Sequence, residues 1–310
     1  MRRPSQGLAS DGKRRDETLS HLGQSSVARP GKSDAAECRG IAPREAAVAA
    51  GTWSATLPRQ QVMRRDTLVI VPTYNEHENI RALAARVVSL PTPVDLLIVD
   101  DNSPDGTGQI ADELAAQNAA IHVLHRSAKD GLGRAYCAGF AWALARNYEF
   151  VFEMDGDFSH DPADIPRFLA AARDADLVLG SRYAEGIRVI NWPLRRLMLS
   201  LSAAKYVRLV TGMPFSDPTG GFKCFRRRAL VSLDLNAVRS NGYSFQVEMT
   251  HLLWRQGLRV AEVPIIFTDR FKGTSKMSRK IVYEALWMVW RLWLQNGLRR
   301  RPRPTAAATP

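Results

Sequence analysis

Three acidic residues stand at alternate positions in the segment VFEMDGDFSH, residues 151–160. They are Glu153, Asp155 and Asp157, and His160 follows shortly after them. Carboxylates two positions apart in an extended segment point to the same side, so Asp155 and Asp157 can converge on one ion. Carboxylate oxygens suit hard divalent cations such as Mg²⁺ or Mn²⁺. The pattern therefore predicts a metal site, and a solvated turn is the alternative interpretation.

A cation held there could neutralise the charge of a departing nucleoside diphosphate. Neither GxxxxGK[ST] nor GxGxxG follows the first predicted strand, so the usual phosphate-binding loops are absent from that place. His160 beside a hard cation is better interpreted as a hydrogen-bonding neighbour of the metal ligands than as a ligand or a base. Ser159 is a weak ligand for such an ion.

A site built from these residues requires a fold in which the ends of several strands lie close together. The rest of the sequence predicts such a fold. Apolar segments alternate with segments of helical periodicity. The predicted strands are 68–71, 95–101, 121–124, 150–155 and 176–182, and the predicted helices are 79–90, 107–117, 134–146 and 162–172. This order predicts an α/β fold with a doubly wound, mostly parallel sheet, whose ligands lie beyond the carboxyl ends of the strands.

The net charge of +12 resembles that of a nucleic-acid-binding protein until it is divided by region. Residues 1–65 hold 12 basic and 6 acidic residues, residues 297–310 hold 4 arginines and no acid, and residues 66–296 hold 27 basic against 25 acidic residues. A nucleic-acid partner is not expected, because such proteins carry a basic face on the folded domain.

Composition along the chain predicts four segments. Residues 1–62 lack periodicity and are expected to form a disordered basic tail, followed by a catalytic domain over 63–280. Residues 281–298 are predicted to form an amphipathic helix in a membrane interface, because its tryptophans recur every three residues. Residues 299–310 form a second basic tail.

No apolar run is long enough to span a bilayer, and no apolar segment follows the basic N-terminus as in a secretory signal. The three cysteines show no metal-binding or disulfide spacing. A cytoplasmic location, peripheral on the cytoplasmic face of a membrane, is expected.

Eight segments in order resemble the motifs of the dolichyl or polyprenyl phosphate mannose synthases. They are VPTYNEHENI, IVDDNSPDGTG, KDGLGRAYCAG, MDGDFSHDP, GSRY, DPTGGFKCFRR, GYSFQVEM and FTDRFKGTSKMS, within residues 66–285. These synthases are inverting glycosyltransferases of family 2 with the GT-A fold, a Rossmann-like sheet flanked by helices. The resemblance implies a short form without membrane-spanning helices.

The resemblance also implies roles for individual residues. Those matching the pocket for the nucleoside of GDP-mannose are Pro72, Tyr74, Glu76, Val99 and Asp101. Those matching the metal and diphosphate motif are Asp155, Gly156 and Asp157, with Asp157 the principal metal ligand. Those matching contacts to the donor are Arg182, Arg270 and Lys276. For the residues that match the nucleoside pocket, the alternative roles are packing in the core, ending a strand and serving the start of a helix.

The acceptor in this family is a polyprenyl phosphate, which is anionic near neutral pH because its second pKa is about 6. A protein base is therefore hardly needed, and Asp217 is the candidate if assistance occurs, with a turn or cap role as the alternative. Gln246 and Glu248 could face the sugar or acceptor, or support the edge of the sheet. A membrane surface and a membrane-tethering subunit are the expected partners.

Two other functions remain open on the sequence. The chain could transfer glucose or N-acetylglucosamine from a UDP-sugar, to a polyprenyl phosphate or to another acceptor. It could also be a non-catalytic basic module that binds membranes or nucleic acid. The nearly neutral central region and the intact DxD motif disfavour the second function.

Overall fold

The structure, a computed structural model, describes residues 65–238, 240–269 and 279–296. The strands are β1 (Thr67–Thr73), β2 (Asp95–Asp100), β3 (Ile121–His125), β4 (Phe150–Glu153), β5 (Leu177–Ser181), β6 (Val189–Ile190), β7 (Lys223–Arg226), β8 (Val260–Pro264) and β9 (Phe267–Thr268). The helices are α1 (Ile80–Val88), α2 (Thr107–Gln117), α3 (Leu132–Leu144), α4 (Ile165–Ala171), α5 (Leu194–Thr211), α6 (Arg227–Val231), α7 (Gly242–Arg255) and α8 (Arg279–Asn296). A 3₁₀ turn at Pro162–Asp164 leads into α4.

Seven strands form the main sheet in the order β3-β2-β1-β4-β7-β5-β8. Strand β7 runs antiparallel to both of its neighbours, whereas the other pairs are parallel. Strands β6 and β9 form a separate parallel pair. The predicted doubly wound, mostly parallel sheet is therefore confirmed, and the antiparallel strand is an addition that the sequence analysis did not identify.

Side chains cover both faces of the sheet, as the continuous apolar runs of its central strands require. Leu68 and Ile70, on one face of β1, belong to a hydrophobic cluster that also includes residues of α3, α5, α7 and α8. Val69 and Val71, on the opposite face, belong to a second cluster that includes residues of α1, α2 and α4. The alternation follows from the two-residue period of a strand, and it places helices on either side of the sheet.

Some predicted bounds are wrong, and two of the differences affect the site. Strand β4 ends at Glu153, not at residue 155, so strand alternation is not what orients Asp155 and Asp157. Strand β1 continues through Pro72 to Thr73. The proline is tolerated because β4 pairs with β1 only as far as Ile70, which leaves the Pro72 nitrogen without a ladder partner on that side.

Three loops at the carboxyl edge of the sheet contain a non-glycine residue with a positive φ angle. These residues are Asn75 after β1, Asn102 after β2 and Phe158 after β4, with φ between 56° and 62°. Asparagine tolerates this left-handed conformation, whereas a phenylalanine there is strained. Strained backbone of this kind concentrates at functional sites.

The predicted tails, residues 1–62 and 299–310, lie outside the described residues. Helix α8 occupies most of the predicted segment 281–298. Within the described part of the chain, no helix is long and apolar enough to span a bilayer.

Candidate active site

The acidic loop after β4 contains Asp155 and Asp157 at the carboxyl edge of the sheet. The backbone N–H of Ser159 donates to Oδ1 of Asp157 at 3.1 Å, and the left-handed Phe158 between them allows this turn. Asp157 is buried, whereas one third of the Asp155 side chain is exposed. The loop therefore presents one fixed and one accessible carboxylate.

His160 anchors this loop from below. Its Nδ1 accepts a hydrogen bond from the Asp155 backbone N–H at 3.2 Å, and its ring stacks on Phe222 at 5.1 Å. Burial lowers the pKa of His160, although the charges of Asp155 and Asp157 oppose the shift. A neutral ring that accepts at Nδ1 carries its proton on Nε2. The ring thus supports the backbone of the acidic loop, and its role beside metal ligands stays a prediction.

The predicted nucleoside pocket adjoins the acidic loop. Pro72 of β1 pairs in register with Val99 of β2. A Cβ added to Gly156 would lie 3.7 Å from the Pro72 carbonyl oxygen and 3.8 Å from Cγ of Glu76. The structure thus brings the end of β1 against the acidic loop, at distances that an added side-chain Cβ at Gly156 would meet as ordinary contacts.

The remaining predicted pocket residues have partners that the sequence analysis did not name. Tyr74 is partly exposed, and Nζ of Lys129 lies 3.7 Å from the centre of its ring, a cation–π contact. Arg126 donates to Oδ1 of Asp101 at 2.6 Å. Burial raises the pKa of Asp101, although Arg126 opposes the shift. Both basic residues follow β3, so extending the strand-end rule to that strand would have identified them.

Glu76 has a structural role in addition to any contact with a ligand. Its backbone N–H donates to Oγ1 of Thr107 at 3.0 Å, and its Oε2 accepts from Nδ2 of Asn79 at 2.8 Å. The loop after β1 is therefore joined to the start of α2. This arrangement fits the alternative that Glu76 serves the start of a helix, and the donor role stays a prediction.

Arg182 and Asp217 form a buried ion pair. Nε and Nη2 of Arg182 donate to the two carboxylate oxygens at 2.6 and 2.7 Å, and the Arg182 backbone N–H adds a bond of 3.1 Å. Oγ1 of Thr219 donates to Oδ1 of Asp217 at 3.0 Å. Burial alone would raise the pKa of Asp217, but Arg182 and Thr219 hold it below the ordinary value. Asp217 is thus an ionised anchor for Arg182.

Two buried titratable groups of opposite charge, Glu153 and Lys223, lie on neighbouring strands at the end of β4. Glu153 faces Lys223 across the antiparallel β4–β7 ladder, and both are fully buried. Nζ of Lys223 donates to the Gln246 carbonyl oxygen at 2.6 Å and to Oγ1 of Thr250 at 2.9 Å. Neither Glu153 oxygen accepts a hydrogen bond of ordinary geometry.

Burial raises the pKa of Glu153 to about 7, against the opposing effect of Lys223. Burial likewise lowers the pKa of Lys223 to about 8, with Glu153 opposing. The sequence analysis did not identify Lys223, because nothing in the sequence reveals that its strand pairs with β4.

A small pocket of about 110 Å³ lies beside the acidic loop, and we call it the polar pocket because charged and polar side chains line part of its wall. Asp155, His160, Arg182 and Gln246 contribute to its wall. The carboxylate of Asp155 faces Gly221, where an added Cβ would lie 3.6 Å from Oδ2. The segment that contains Gln246 forms helix α7, and its contact with the sheet runs through the hydrogen bond from Lys223 of β7 to the Gln246 carbonyl oxygen.

An apolar cavity of about 330 Å³ continues from the polar pocket between α5, α7 and α8. Five residues line both spaces: Arg182, Trp192, Arg196, Thr219 and Tyr243. The far wall includes Leu199, Leu286 and Val289. The site therefore joins a charged end to an apolar end.

Arg270 and Lys276, two predicted donor contacts, lie outside the described residues. Among the residues that are described, no group of three or more His, Cys, Asp and Glu side chains is arranged to hold a metal ion. A site built on Asp155 and Asp157 would thus take its remaining ligands from elsewhere.

The family model for glycosyl transferase family 2 matches residues 68–233, which include β1 through α6 and the acidic loop. The chain belongs to glycosyl transferase family 2. This glycosyltransferase is 48% identical over 237 residues to the undecaprenyl-phosphate mannosyltransferase of Micrococcus luteus, covering 76% of this chain and 98% of the relative. It is also 48% identical over 236 residues to the polyprenol monophosphomannose synthase of Mycolicibacterium smegmatis, covering 76% and 89%.

A more distant relative is the dolichol-phosphate mannosyltransferase of Pyrococcus furiosus, with 32% identity over 74% of this chain and 64% of the relative. The predicted resemblance to the polyprenyl phosphate mannose synthases is confirmed by these relatives. Among solved structures, glucosyl-3-phosphoglycerate synthase from Mycobacterium tuberculosis in complex with Mn²⁺, uridine diphosphate and glucosyl-3-phosphoglycerate superimposes with a TM-score of 0.55. At 18% identity over 76% of this chain and 81% of that chain, this glycosyltransferase shares its fold.

Proposed function

We propose that this glycosyltransferase transfers mannose from GDP-mannose to a polyprenyl phosphate and inverts the anomeric configuration, giving a polyprenyl β-phosphomannose. The observation that carries the proposal is the continuity between the polar pocket at Asp155 and the apolar cavity between α5, α7 and α8. An acceptor with an anionic head and a hydrocarbon chain needs both environments in contact. The names of the two relatives at 48% identity support mannose as the sugar and a polyprenyl phosphate as the acceptor.

Asp155 and Asp157 fit a divalent cation, Mg²⁺ or Mn²⁺. Gly221 leaves space beside the Asp155 carboxylate, and the charges of both aspartates act on the same neighbours, Tyr136 and His160. A magnesium ion in a nucleotide site is commonly held by one or two carboxylates, with substrate phosphates completing its shell. A bound cation would supply charge neutralisation to the leaving diphosphate.

The side chains around the pocket would align the two substrates. The acceptor phosphate is already anionic, so displacement at the anomeric carbon requires alignment more than deprotonation. Arg182 would offer a fixed positive charge at the boundary of the pocket and the cavity, since Asp217 holds its guanidinium in place. All four hydrogen bonds to the Asp217 carboxylate are already made, so we assign Asp217 to positioning rather than to proton transfer.

We further propose that α5 and α8 rest on the cytoplasmic surface of a membrane. Helix α8 exposes Trp287, Trp290 and Trp293, and α5 exposes Leu194 and Leu209. Tryptophan and leucine beside basic residues are typical of helices that lie among lipid headgroups. Because the apolar cavity lies between these helices, the acceptor would reach it from that surface. A membrane-tethering subunit would add to this attachment.

Mannose transfer by the purified full chain tests the proposal. The donors are GDP-mannose, UDP-glucose and UDP-N-acetylglucosamine, each with a polyprenyl phosphate acceptor and with Mg²⁺, Mn²⁺ or a chelator. We expect a mannosylated lipid from GDP-mannose only in the presence of a divalent cation. Transfer from a UDP-sugar but not from GDP-mannose would contradict the assignment of GDP-mannose as the donor. Transfer that is undiminished in the presence of a chelator would contradict the requirement for a divalent cation.

A further inference from the structure

Tyr243 stands where the polar pocket meets the apolar cavity. It lies in the first turn of α7, lines both spaces and is 46% exposed. Arg182 and Trp192 share this boundary. A tyrosine ring is apolar along its body and polar at its tip, which suits a boundary between a charged head and a hydrocarbon chain. The position therefore matches the junction of a prenyl chain with its phosphate.

Two glycines at the start of α3 fix the segment that leads into α7. A Cβ on Gly133 would lie 2.3 Å from the backbone oxygen of Ser240 and 2.9 Å from Cδ2 of Phe245. A Cβ on Gly131, whose φ is +93°, would lie 2.4 Å from Oδ1 of Asn241. Contacts that close leave no room for a methyl group, so the backbone of the two glycines packs directly against the Ser240 backbone oxygen and the side chains of Asn241 and Phe245.

Further contacts hold the start of α7 in place. The ring of Phe245 stacks on Tyr136 of α3 with centres 5.9 Å apart. Oγ of Ser240 donates to Oε2 of Glu248 at 2.5 Å. Gly242 adopts a left-handed φ of +57° immediately before Tyr243. The depth of Tyr243 in the site is thus set by α3 and not by α7 alone.

We propose that Tyr243 binds the phosphate–prenyl junction of the acceptor, and that Gly131 and Gly133 are positioning residues that set its depth. The chemical class of the ligand is a prenyl phosphate, and its identity as the acceptor rests on the proposed function. The sequence analysis quoted KDGLGRAYCAG and GYSFQVEM as separate motifs, and this contact joins them.

Direct binding to the full chain tests the inference without requiring turnover. The probes are farnesyl phosphate for the acceptor end and GDP with Mn²⁺ for the donor end, each followed by calorimetry. The variants are Tyr243→Ala, Gly133→Ala and Gly131→Ala. Gly186→Ala is the matched control, because Gly186 also has a positive φ, +92°, but an added Cβ would meet nothing within 4 Å. Thermal unfolding monitors the fold of each variant.

We expect Tyr243→Ala and Gly133→Ala to weaken farnesyl phosphate binding by about tenfold or more, as loss of an aromatic contact in a pocket does. Affinity for GDP should change by less than about twofold in both variants, because the nucleoside end lies over β1 and β2. Gly186→Ala should leave both affinities unchanged. If Gly133→Ala fails to fold, Tyr243→Ala alone tests the inference. The side chain of Tyr243 is about half exposed, so its removal does not open a cavity in the core.

Equal loss of both affinities in Tyr243→Ala would overturn the inference, as would wild-type protein that does not bind farnesyl phosphate. A mannose-transfer assay separates this inference from the proposed function. Wild-type protein that binds farnesyl phosphate through Tyr243 but transfers no mannose would refute the proposed mannose transfer and would support the proposed acceptor site. Normal transfer with an unchanged acceptor KM in Tyr243→Ala would refute the acceptor site and would support the proposed mannose transfer.

Discussion

Replacement of Asp217 by asparagine separates a positioning role from a role as base. The carboxylate is fully buried and accepts four hydrogen bonds, three from Arg182 and one from Thr219. An asparagine removes the negative charge and one acceptor, so the buried Arg182 guanidinium loses its counter-charge. Removing one partner of a buried pair typically costs about 3–5 kcal/mol in free energy of unfolding. For a domain of this size, that cost lowers the melting temperature by roughly 10 °C.

Thermal and urea unfolding measure this loss of stability. Two further variants show whether it comes from the unpaired charge. Glu113→Gln removes one partner of the Arg81–Glu113 pair, in which both side chains are about half exposed, so a loss below about 1 kcal/mol is expected. Adding Arg182→Met to Asp217→Asn should recover part of the stability, because no charge is then left buried and unpaired. A melting temperature for Asp217→Asn within about 2 °C of the wild type would refute the reasoning.

The pH dependence supplies a second test of the same pair. Burial favours the protonated form of Asp217, but Arg182 outweighs it and holds the pKa below the ordinary value of 3.8. A carboxylate with a lowered pKa stabilises the fold above its ordinary pKa, and this contribution is lost as the pH falls further. The stability difference between wild type and Asp217→Asn should thus be constant near neutral pH and shrink below about pH 4. If Asp217 is a base instead, Asp217→Asn should abolish transfer at every pH at which the variant stays folded.

Three further outcomes are expected. Asp157→Ala should abolish transfer and Mn²⁺-dependent binding of GDP while circular dichroism shows an intact fold, and full activity would exclude Asp157 as a metal ligand. Lys223→Met and Glu153→Gln should each lower the melting temperature more than the double variant does, because either change alone leaves one buried charge without its counter-charge; additive losses would show that the two groups do not interact. Deletion of residues 1–60 should leave mannose transfer largely intact, and a collapse of turnover would assign a function to that segment.

The family and the order of the elements were readable from the sequence because both depend on local patterns. Buried strands followed by helical periodicity predicted the parallel sheet, and the bounds of α2 were predicted correctly as 107–117. The acidic loop was identifiable because Asp155 and Asp157 come directly after a buried strand. Such signals lie within a few residues of one another, so a linear reading detects them.

Contacts between distant segments were decided only by the tertiary structure. The pairing of β7 with β4 places Lys223 opposite Glu153, and the packing of α3 on the start of α7 places Tyr243 at the boundary of the two cavities. Residues far apart in the chain meet here through the burial of apolar faces and through antiparallel pairing, which no local pattern specifies. The sequence by itself therefore determined which chemical groups stand at the strand ends. The three-dimensional packing determined which charges neutralise one another, and where a polar pocket opens into an apolar one.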